Sequence, residues 1–510
     1  MFTEMIPKNK FWVTNYPNLD SSFEGLPIPE FYGEKDNIAP MCIDTTILEY
    51  KLANREIYSI EAIQADGVAL TITDDYEQDL ANAEFTVYGM PYLTQDTTYY
   101  IVVTGDWTVN GSDYVNVGGD SSGSYSDGQY YRIDGGGIWT GDSGVDLCFR
   151  VYGKTSIEAE EELMVEYTYS NYNTDYAVRD AGARTQIAQS FKTPATTSFF
   201  CTKVTMWLEK NGTPTGDLRV EIHSDQSGTR VGGKTVAQDV SAFGTSLATI
   251  ENYYNEISEY SEILVSAKGY KSGANLMENV SEILEDVIVT VLGKDVSDLD
   301  ATSFSALESA RSEKICAYLN HEISFQTFLN RLEAGSLFKF QHNLDDAKYT
   351  VDYYITGEPA GTPHFRDEDF ITFSSWRDRA SIIKTVQVNF DDNPSTQMSR
   401  KREVDSEVAE YIYKSKEELV VETYLKEASV ASTLATTYLD LCELPQMKIV
   451  FKVSGYGFDM RPTQKVKITK TRADASGGSL TATLFRILSI KKEISTGVAE
   501  ITAILDSQSY

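Results

Sequence analysis

Between residues 107 and 139, aromatic rings and carboxylates are interleaved in a way that suits recognition of a polyhydroxylated ligand. Trp107, Tyr125, Tyr130, Tyr131 and Trp139 lie in or beside Gly/Asp-rich stretches. Sugar rings stack their C–H faces on such side chains while acidic groups bind the hydroxyls. Trp107, Tyr125, Tyr130, Trp139 and Asp113 are therefore the candidate glycan contacts. Asp113, Asp120, Asp127 and Asp134 recur every seven residues, which also offers oxygen ligands to Ca2+. The competing reading makes the aromatics fillers of a sheet core and the aspartates ordinary turn formers.

Other reactive residue types lack the company that chemistry demands. Gly141-Asp142-Ser143-Gly144 looks like the nucleophile loop of trypsin-like proteases, but that chain order places a histidine base well ahead of the serine. The first histidine here is His223, so the order fails and a Ser/Gly turn accounts for the residues. Asp367-Glu368-Asp369 and Glu160-Glu161-Glu162 invite a glycosidase-type pair, which needs two carboxylates at a defined separation. With 76 acidic residues in the chain, adjacency carries no such information. His223, His321, His342 and His364 form no H-x-x-x-H. Cys42, Cys148, Cys201, Cys316 and Cys442 are scattered, odd in number and without C-x-x-C, which speaks for buried thiols in a reducing compartment and against a zinc site. No catalytic residue, metal site or other cofactor is assigned.

Two charged sets suit contact rather than catalysis. Arg377 and Arg379 lie close after Asp367, Glu368 and Asp369, and an Arg–carboxylate fork is directional enough to fix one module, or one subunit, against another. Lys448, Lys452, Lys465, Lys467, Lys470, Lys491 and Lys492 make the last strands locally basic, either as solubilising side chains or as a face for an acidic ring partner or passing DNA.

These residues must be positioned by several bodies, because a chain of 510 residues exceeds the roughly 250–300 residues that one core fills. Hydrophobic content of 41% is enough for true cores. A formal charge of −32 repels nucleic acid, so no sequence-specific nucleic-acid partner is expected. No apolar run approaches the roughly 18 residues of a membrane span, and residues 1–19 lack the apolar core of a signal peptide.

Periodicity divides the chain. Ile57, Ile60 and Ile63, then Val68, Leu70 and Ile72, read as two strands around Ala65-Asp66-Gly67. TTYYIVVTGDW (97–107), DLCFRVYG (146–153), AQSFKTP (188–194) and FFCTKVTMWLEKNGTPTGDLRVEIHSD (199–225) are strands with turn signals. Residues 115–144 read as loop sequence and 155–166 as an acidic linker or short helix. Leu276 to Leu292 keeps helical spacing and stops at Gly293. Helices also cover 302–314 and a segment opening at Ser324 and ending at Gly335. Residues 427–442 form a helix with Val430, Leu434, Tyr438, Leu439 and Cys442 on one face. Alternating strands follow, with a hairpin turn near Gly497. The connector HFRDEDF (364–370), after a Gly/Pro cluster at 357–363, separates helical segments from strands.

The spelling of several segments resembles bacteriophage tail-tip, or baseplate-hub, proteins. They are PHFRDEDF; Ile28-Pro29, Tyr32-Gly33 and Ala39-Pro40-Met41-Cys42-Ile43-Asp44; and PQMKIVFKV, RPTQKVKIT, FRILSIKKE and GVAEITAI. Residues 88–256 resemble the jelly-roll modules often found as carbohydrate-binding domains, with the half at 93–153 ahead of the half at 185–250, the reverse of the usual order. That implies either a permuted sandwich, with 154–184 spanning the old termini, or two half-domains that do not pair.

The resulting fold expectation is multidomain and mainly β with a small α+β part: tail-hub-like β-barrel domains plus an inserted β-sandwich. Its segments are 1–87 with 257–270, the insert 88–256, a helical α+β domain 271–365 and a barrel-like domain 366–510. The resemblance further implies a structural role without enzymatic duty. The chain would form a homo-oligomeric ring, trimer or hexamer, that joins tail tube to tip in a virion made in the bacterial cytoplasm. Its partners would be other tail-tip and tail-tube proteins and a host-surface glycan met by the insert. A distal-tail or fibre-anchoring adaptor and a polysaccharide-degrading tail enzyme are the competing readings.

Overall fold

The computed structural model describes residues 4–71, 75–106, 111–133, 138–156, 159–178, 186–225, 230–257, 261–343, 347–354, 357–396, 398–473 and 478–506. Over these residues the protein is mainly β with a small helical part, in many separate sheets. It divides into two compact units. One contains residues 9–28 and 37–267; the other contains 1–8, 29–36 and 268–510. Those borders differ from the four segments read from the sequence: 271–365 and 366–510 fall in one unit. The reason is visible in the backbone, where Cys316 N–H donates to Tyr424 O (2.8 Å), Lys426 N–H to Lys314 O (3.0 Å), and the Tyr438 hydroxyl to Ala334 O (3.0 Å).

In the unit containing 37–267, a four-stranded sheet runs in the order Met41–Asp44, Glu49–Lys51, Glu84–Val87, Tyr76–Asp79. Strand Ile57–Ala65 turns at Asp66 and Gly67, both with positive φ (49° and 79°), the conformation a tight hairpin needs. The sandwich is built from eight main strands: β1 (Thr98–Gly105), β2 (Tyr114–Asp120), β3 (Phe149–Lys154), β4 (Glu162–Tyr167), β5 (Gln186–Lys192), β6 (Phe199–Asn211), β7 (Asp217–His223) and β8 (Ala248–Tyr253).

Segments 93–154 and 186–253 alternate within both of its sheets. In the eight-stranded sheet β6 pairs with β2, β3 and β8; in the seven-stranded sheet β1 lies between β5 and β7. Alternation explains why: Val204, Met206 and Leu208 of β6 and Ile101 and Val103 of β1 point inward and are fully buried, so neither half could leave its apolar face in water. At the base, Gly89 and Asn255 form a parallel bridge, and Met90 N–H donates to Ile257 O (2.9 Å).

Two segments differ from their sequence reading. Residues 115–144 hold strand β2 and the pair Tyr130–Ile133 and Trp139–Asp142, because Val115, Val117 and Tyr130 supply enough inward apolar surface. The expected linker at 155–166 instead contributes β4, which pairs with β3.

The other unit carries the helices α1 (Val280–Asp286), α2 (Ala301–Ala310) and α3 (Phe325–Ser336). Asn279, Asp300 and Ser324 cap their N-termini with side-chain oxygens. After α1 the chain continues in a wider helical turn to Val291 and reaches Gly293 at φ +69°. Gly335 does not end α3; it lies inside the helix with Thr423 and Leu425 close by, and Leu337 takes the left-handed position at φ 48°.

Further along come β9 (His364–Phe365), β10 (Phe370–Asp378), β11 (Thr385–Asn393), β12 (Met398–Asp405), α4 (Glu407–Tyr411), β13 (Glu418–Glu422), α5 (Ala428–Cys442), β14 (Gln446–Ser454), β15 (Lys465–Ala473), β16 (Gly478–Glu493) and β17 (Val498–Leu505). A three-stranded sheet has the order β12-β11-β13 and packs α5 across β11 and β12. The buried side of α5 is Ala431, Leu434, Ala435 and Leu439; Val430, Tyr438 and Cys442 are only half-buried.

A six-stranded sheet has the order β9-β15-β16-β17-β14-β10. Its two outermost strands are separated in the chain by residues 366–369 alone, and four residues span at most about 14 Å. The sheet must therefore curl until its edges approach, which makes it barrel-like. Met447, Ile449, Phe451, Val466, Ile468, Phe485 and Ile501 fill the inside. Among the described residues no helix is long and apolar enough to cross a membrane.

Candidate functional site

Among the described residues, the sequence-predicted glycan contacts have different surroundings. Tyr130 is fully buried in the sandwich core, its ring centroid 5.0 Å from that of Tyr176, so it fills the fold instead of offering a stacking face. Tyr125 is half-buried against Phe149 and Tyr167, and burial pushes its phenol up to about 12. Trp139 is half-buried on a strand opposite Ile133. Asp113 accepts the backbone N–H of Thr213 at 2.7 Å and so ties the Asn211-Gly212 turn to β2. Trp107 lies outside the described residues, as does Asp134.

The aspartates spaced by seven have separate duties. Asp120, 1% exposed, accepts from Ser122 N–H (2.8 Å), the hydroxyls of Ser122 (2.7 Å), Ser124 (3.0 Å) and Tyr167 (2.6 Å), and Asn173 Nδ2 (2.6 Å). Burial opposes its ionisation, but the donors led by Ser122 and Tyr167 outweigh that and hold the carboxyl well below its ordinary range. Asp146, its cross-strand neighbour, is pushed the other way by burial and by the charge of Asp120. Asp127 is exposed. Among the described residues no three His, Cys, Asp or Glu are placed to hold a metal ion. Asp142 accepts Gly144 N–H within the Gly-Asp-Ser-Gly turn, and His223 Nε2 lies 2.9 Å from Glu221.

What the sandwich does assemble is a stripe across the outer face of its larger sheet. Strand register places Glu166, Arg150, Thr205 and Glu251 in one row, and Leu163, Tyr152, Lys203 and Tyr253 in the next. Tyr92 and Phe200 follow, with ring centroids 4.9 Å apart. Arg150 bonds Glu166 (2.7 Å) and lies over Trp207 at 5.3 Å. Lys203 bonds Glu161 (3.0 Å) and Glu251 (3.2 Å) and lies 4.4 Å above Tyr152 and 5.3 Å from Tyr253. Burial alone would lower the Lys203 pKa; the two glutamates reverse that and raise it. Thr205 Oγ1 is buried without a hydrogen-bond partner among the described residues. Tyr92 (51%) and Tyr253 (45%) remain exposed. The even alternation of FRVYGK and TKVTMW carried this signal. It is masked in the sequence because ring-bearing strand faces read equally well as core.

In the other unit the connector is fastened to the barrel. β9 runs parallel to β15, Lys467 N–H donates to Pro363 O (2.8 Å), and Phe365 enters the core 5.5 Å from Phe451. Lys467 bonds Glu358 (2.6 Å), and Asp367 takes Lys470 and the N–H of Thr471 (3.0 Å). Lys470 chiefly, then Thr471, holds the Asp367 carboxyl down to about 2. Among the described residues, Asp367 and Asp369 take partners other than Arg377 and Arg379. Asp367 meets Lys470, Asp369 accepts Arg366 N–H (2.7 Å), and Glu368 is exposed. Arg377 reaches Pro445 O (3.4 Å), and Arg379 is exposed. The lysines were nearer in space because β15 runs alongside the connector, while Arg377 and Arg379 sit at the far end of β10. Lys448 and Lys452 are likewise matched, by Asp378 and Glu500. Lys465, buried, is shared by Asp506 and Gly357 O, and Arg486 also bonds Asp506 (2.6 Å).

No protein-family model and no curated protein matches this chain. Among solved structures it is similar to a chain of the virion of a native gene transfer agent particle, at 10% identity over 99% of this chain and 89% of that one, TM-score 0.40. It is also similar to a tail protein from Neisseria meningitidis MC58 (9% identity, 74% and 96% covered, TM-score 0.30). A third is the prophage MuSo2 43 kDa tail protein from Shewanella oneidensis (10%, 74% and 98%, TM-score 0.27). At such scores these likenesses fix neither fold nor function.

Proposed function

We propose that this chain is a structural component of a phage tail tip of the baseplate-hub type. Copies of it form a ring, trimer or hexamer, that joins tail tube to tip in the virion, alongside other tail proteins. One observation carries the reading: the segments whose spelling resembles tail-hub proteins, PHFRDEDF and PQMKIVFKV through GVAEITAI, fold together as one barrel with its connector sealed onto β15. A body closed in this way suits mechanical transmission, because the joint is held by backbone pairing and ion pairs instead of a free linker. Electron microscopy of the purified full chain, with antibody labelling of particles, tests it. Rings and label at the tail end are expected. Absence of rings together with label at a side fibre would replace it with the adaptor reading.

The insert supplies host contact in this reading, through the stripe centred on Tyr152, Lys203 and Tyr253. Three glutamates against two cations there favour a neutral or amine-bearing glycan over a polyanion. Binding of the full chain to host polysaccharide, lost in Tyr253→Ala with Tyr92→Ala, is the expected result. Release of reducing ends from that polysaccharide would instead make the protein an enzyme.

A further inference from the structure

Lys35 is 1% exposed, an unusual place for an ammonium group. Its Nζ donates to Asp392 Oδ1 (2.8 Å) and Asp392 O (2.5 Å), and Asp391 Oδ1 lies 3.5 Å away. Adjacent side chains of a strand ordinarily point to opposite faces. Here Asp391 takes a left-handed backbone (φ 45°) where the β11–β12 register shifts between Phe390 and Asn393, and both carboxylates reach one amine. The charge of Asp391 is met separately, by Arg400 on Oδ2 (3.3 Å) and Lys426 near Oδ1 (3.7 Å); Lys426 also lies 3.6 Å from Asp36. Lys35 and Asp392 are thus left to balance each other. Cys316 Sγ lies 3.9 Å from Asp391 Oδ1, and burial pushes its thiol up to about 11, so it stays protonated and does not compete for the carboxyl.

We propose that Lys35 and Asp392 condense into a side-chain amide, a covalent staple between residues 357 positions apart in the chain. Nζ gives one proton to the Asp392 carboxylate it already touches, and the neutral amine attacks Cγ. Asp391 takes a second proton from nitrogen as the C–N bond forms. It returns that proton to the departing hydroxyl, the C–O bond breaks, and water leaves past Asp392, whose side chain is 30% exposed. Nitrogen keeps its third hydrogen, Asp391 ends as it began, and no oxidant or other co-reactant enters. Folding holds the two groups in contact, which replaces a bimolecular encounter by an intramolecular one. A neutral amide also escapes the cost of holding two charges away from water, which favours the product at a buried site. Burial opposes the charged amine, but the negative groups around it outweigh this and raise its pKa, so the free amine is scarce and the link accrues slowly after folding. Lys465, buried against Asp506, meets Arg486 where Lys35 has Asp391. Without a second acid to carry the proton, that pair remains ionic.

Intact-mass spectrometry of the denatured full chain, followed by peptide mapping, tests this. After prolonged incubation of the folded protein, wild type is expected lighter by one water molecule, with a branched peptide joining Lys35 to Asp392. Lys35→Met and Asp392→Ala are expected at their full sequence masses. Asp391→Asn keeps the shape but cannot carry the proton; it is expected unlinked with unchanged circular dichroism, and the link is expected to return in Asp391→Glu. Wild type at its full sequence mass overturns the proposal, and that reading needs no variant to fold. A water loss that persists in Lys35→Met marks a cyclic imide of an aspartate and overturns it too. A branched peptide in Asp391→Asn overturns the part given to Asp391.

Discussion

Replacing Asp120 by Asn removes one negative charge from a site 1% exposed and changes almost no volume. In the native sandwich Oδ1 faces Ser122 N–H and Asn173 Nδ2, while Oδ2 faces the hydroxyls of Tyr167 and Ser124. The amide keeps one oxygen for the first pair and turns an NH2 group toward the second, so those hydroxyls must reverse. Hydrogen bonds to a charged group are worth about 1.5–3 kcal/mol against roughly 1 for neutral ones. Losing charge assistance on about three bonds therefore costs about 3 kcal/mol. The folded carboxyl titrates below its unfolded value, so its contribution is complete above the unfolded value of roughly 4 and fades as pH falls through the folded one. The variant should thus be less stable than wild type at pH 7 and lose less stability than wild type on going to pH 3. The assay is urea unfolding of the full chain with hydrogen exchange read on β2 and β5, since a chain of two units need not unfold in one step. Asp127→Asn, at an exposed turn, serves as control and should shift stability by less than about 0.5 kcal/mol. An Asp120→Asn protein within that same margin of wild type, or with an unchanged acid limb, would refute the account of the buried carboxylate.

Lys465→Met leaves Asp506 paired with Arg486 alone, so the loss should fall below the roughly 3–5 kcal/mol of an uncompensated buried charge and be read as lost exchange protection in β15 and β16. Gly119→Ala would set a Cβ 2.6 Å from the Tyr176 ring and 2.7 Å from the Asp146 carbonyl; overpacking of about 1–3 kcal/mol should lower the sandwich's calorimetric transition. Asp367→Ala should speed proteolytic cleavage between 357 and 370, and a cleavage pattern unchanged from wild type would show that Lys470 does not hold the connector.

Strands with one wet face declared themselves in the sequence, because burial imposes a period of two: Val386, Val388 and Phe390 alternate with Gln387 and Asn389 and are buried as that period demands. The start of α3 was equally readable, since Ser324 can satisfy the orphan N–H groups, whereas Leu276, read as helical, lies in a short strand and α1 begins only at Val280. The end of α3 was not, because tertiary packing against Thr423 and Leu425 places Gly335 within the helix and Leu337 in the strained position. The Gly-rich run at 115–144 hid β2 for a related reason. Gly119 looks like a loop residue, yet the fold uses its missing side chain to bring backbone against the Asp146 carbonyl and the Tyr176 ring. The candidate site suffered most. Which acid meets which cation depends on non-local strand neighbours, and nothing local in HFRDEDF distinguishes Lys470 from Arg377.

The bridge between Gly89 and Asn255 brings the two ends of the sandwich together, and Gly232 and Gly233 add backbone bonds to Thr46 and Gly89 beside it. A graft made there disturbs few backbone pairs, so a different cassette could replace residues 90–254 while the scaffold strands keep their partners. A lineage could in that way exchange the whole β-module by recombination at two points in the coding sequence.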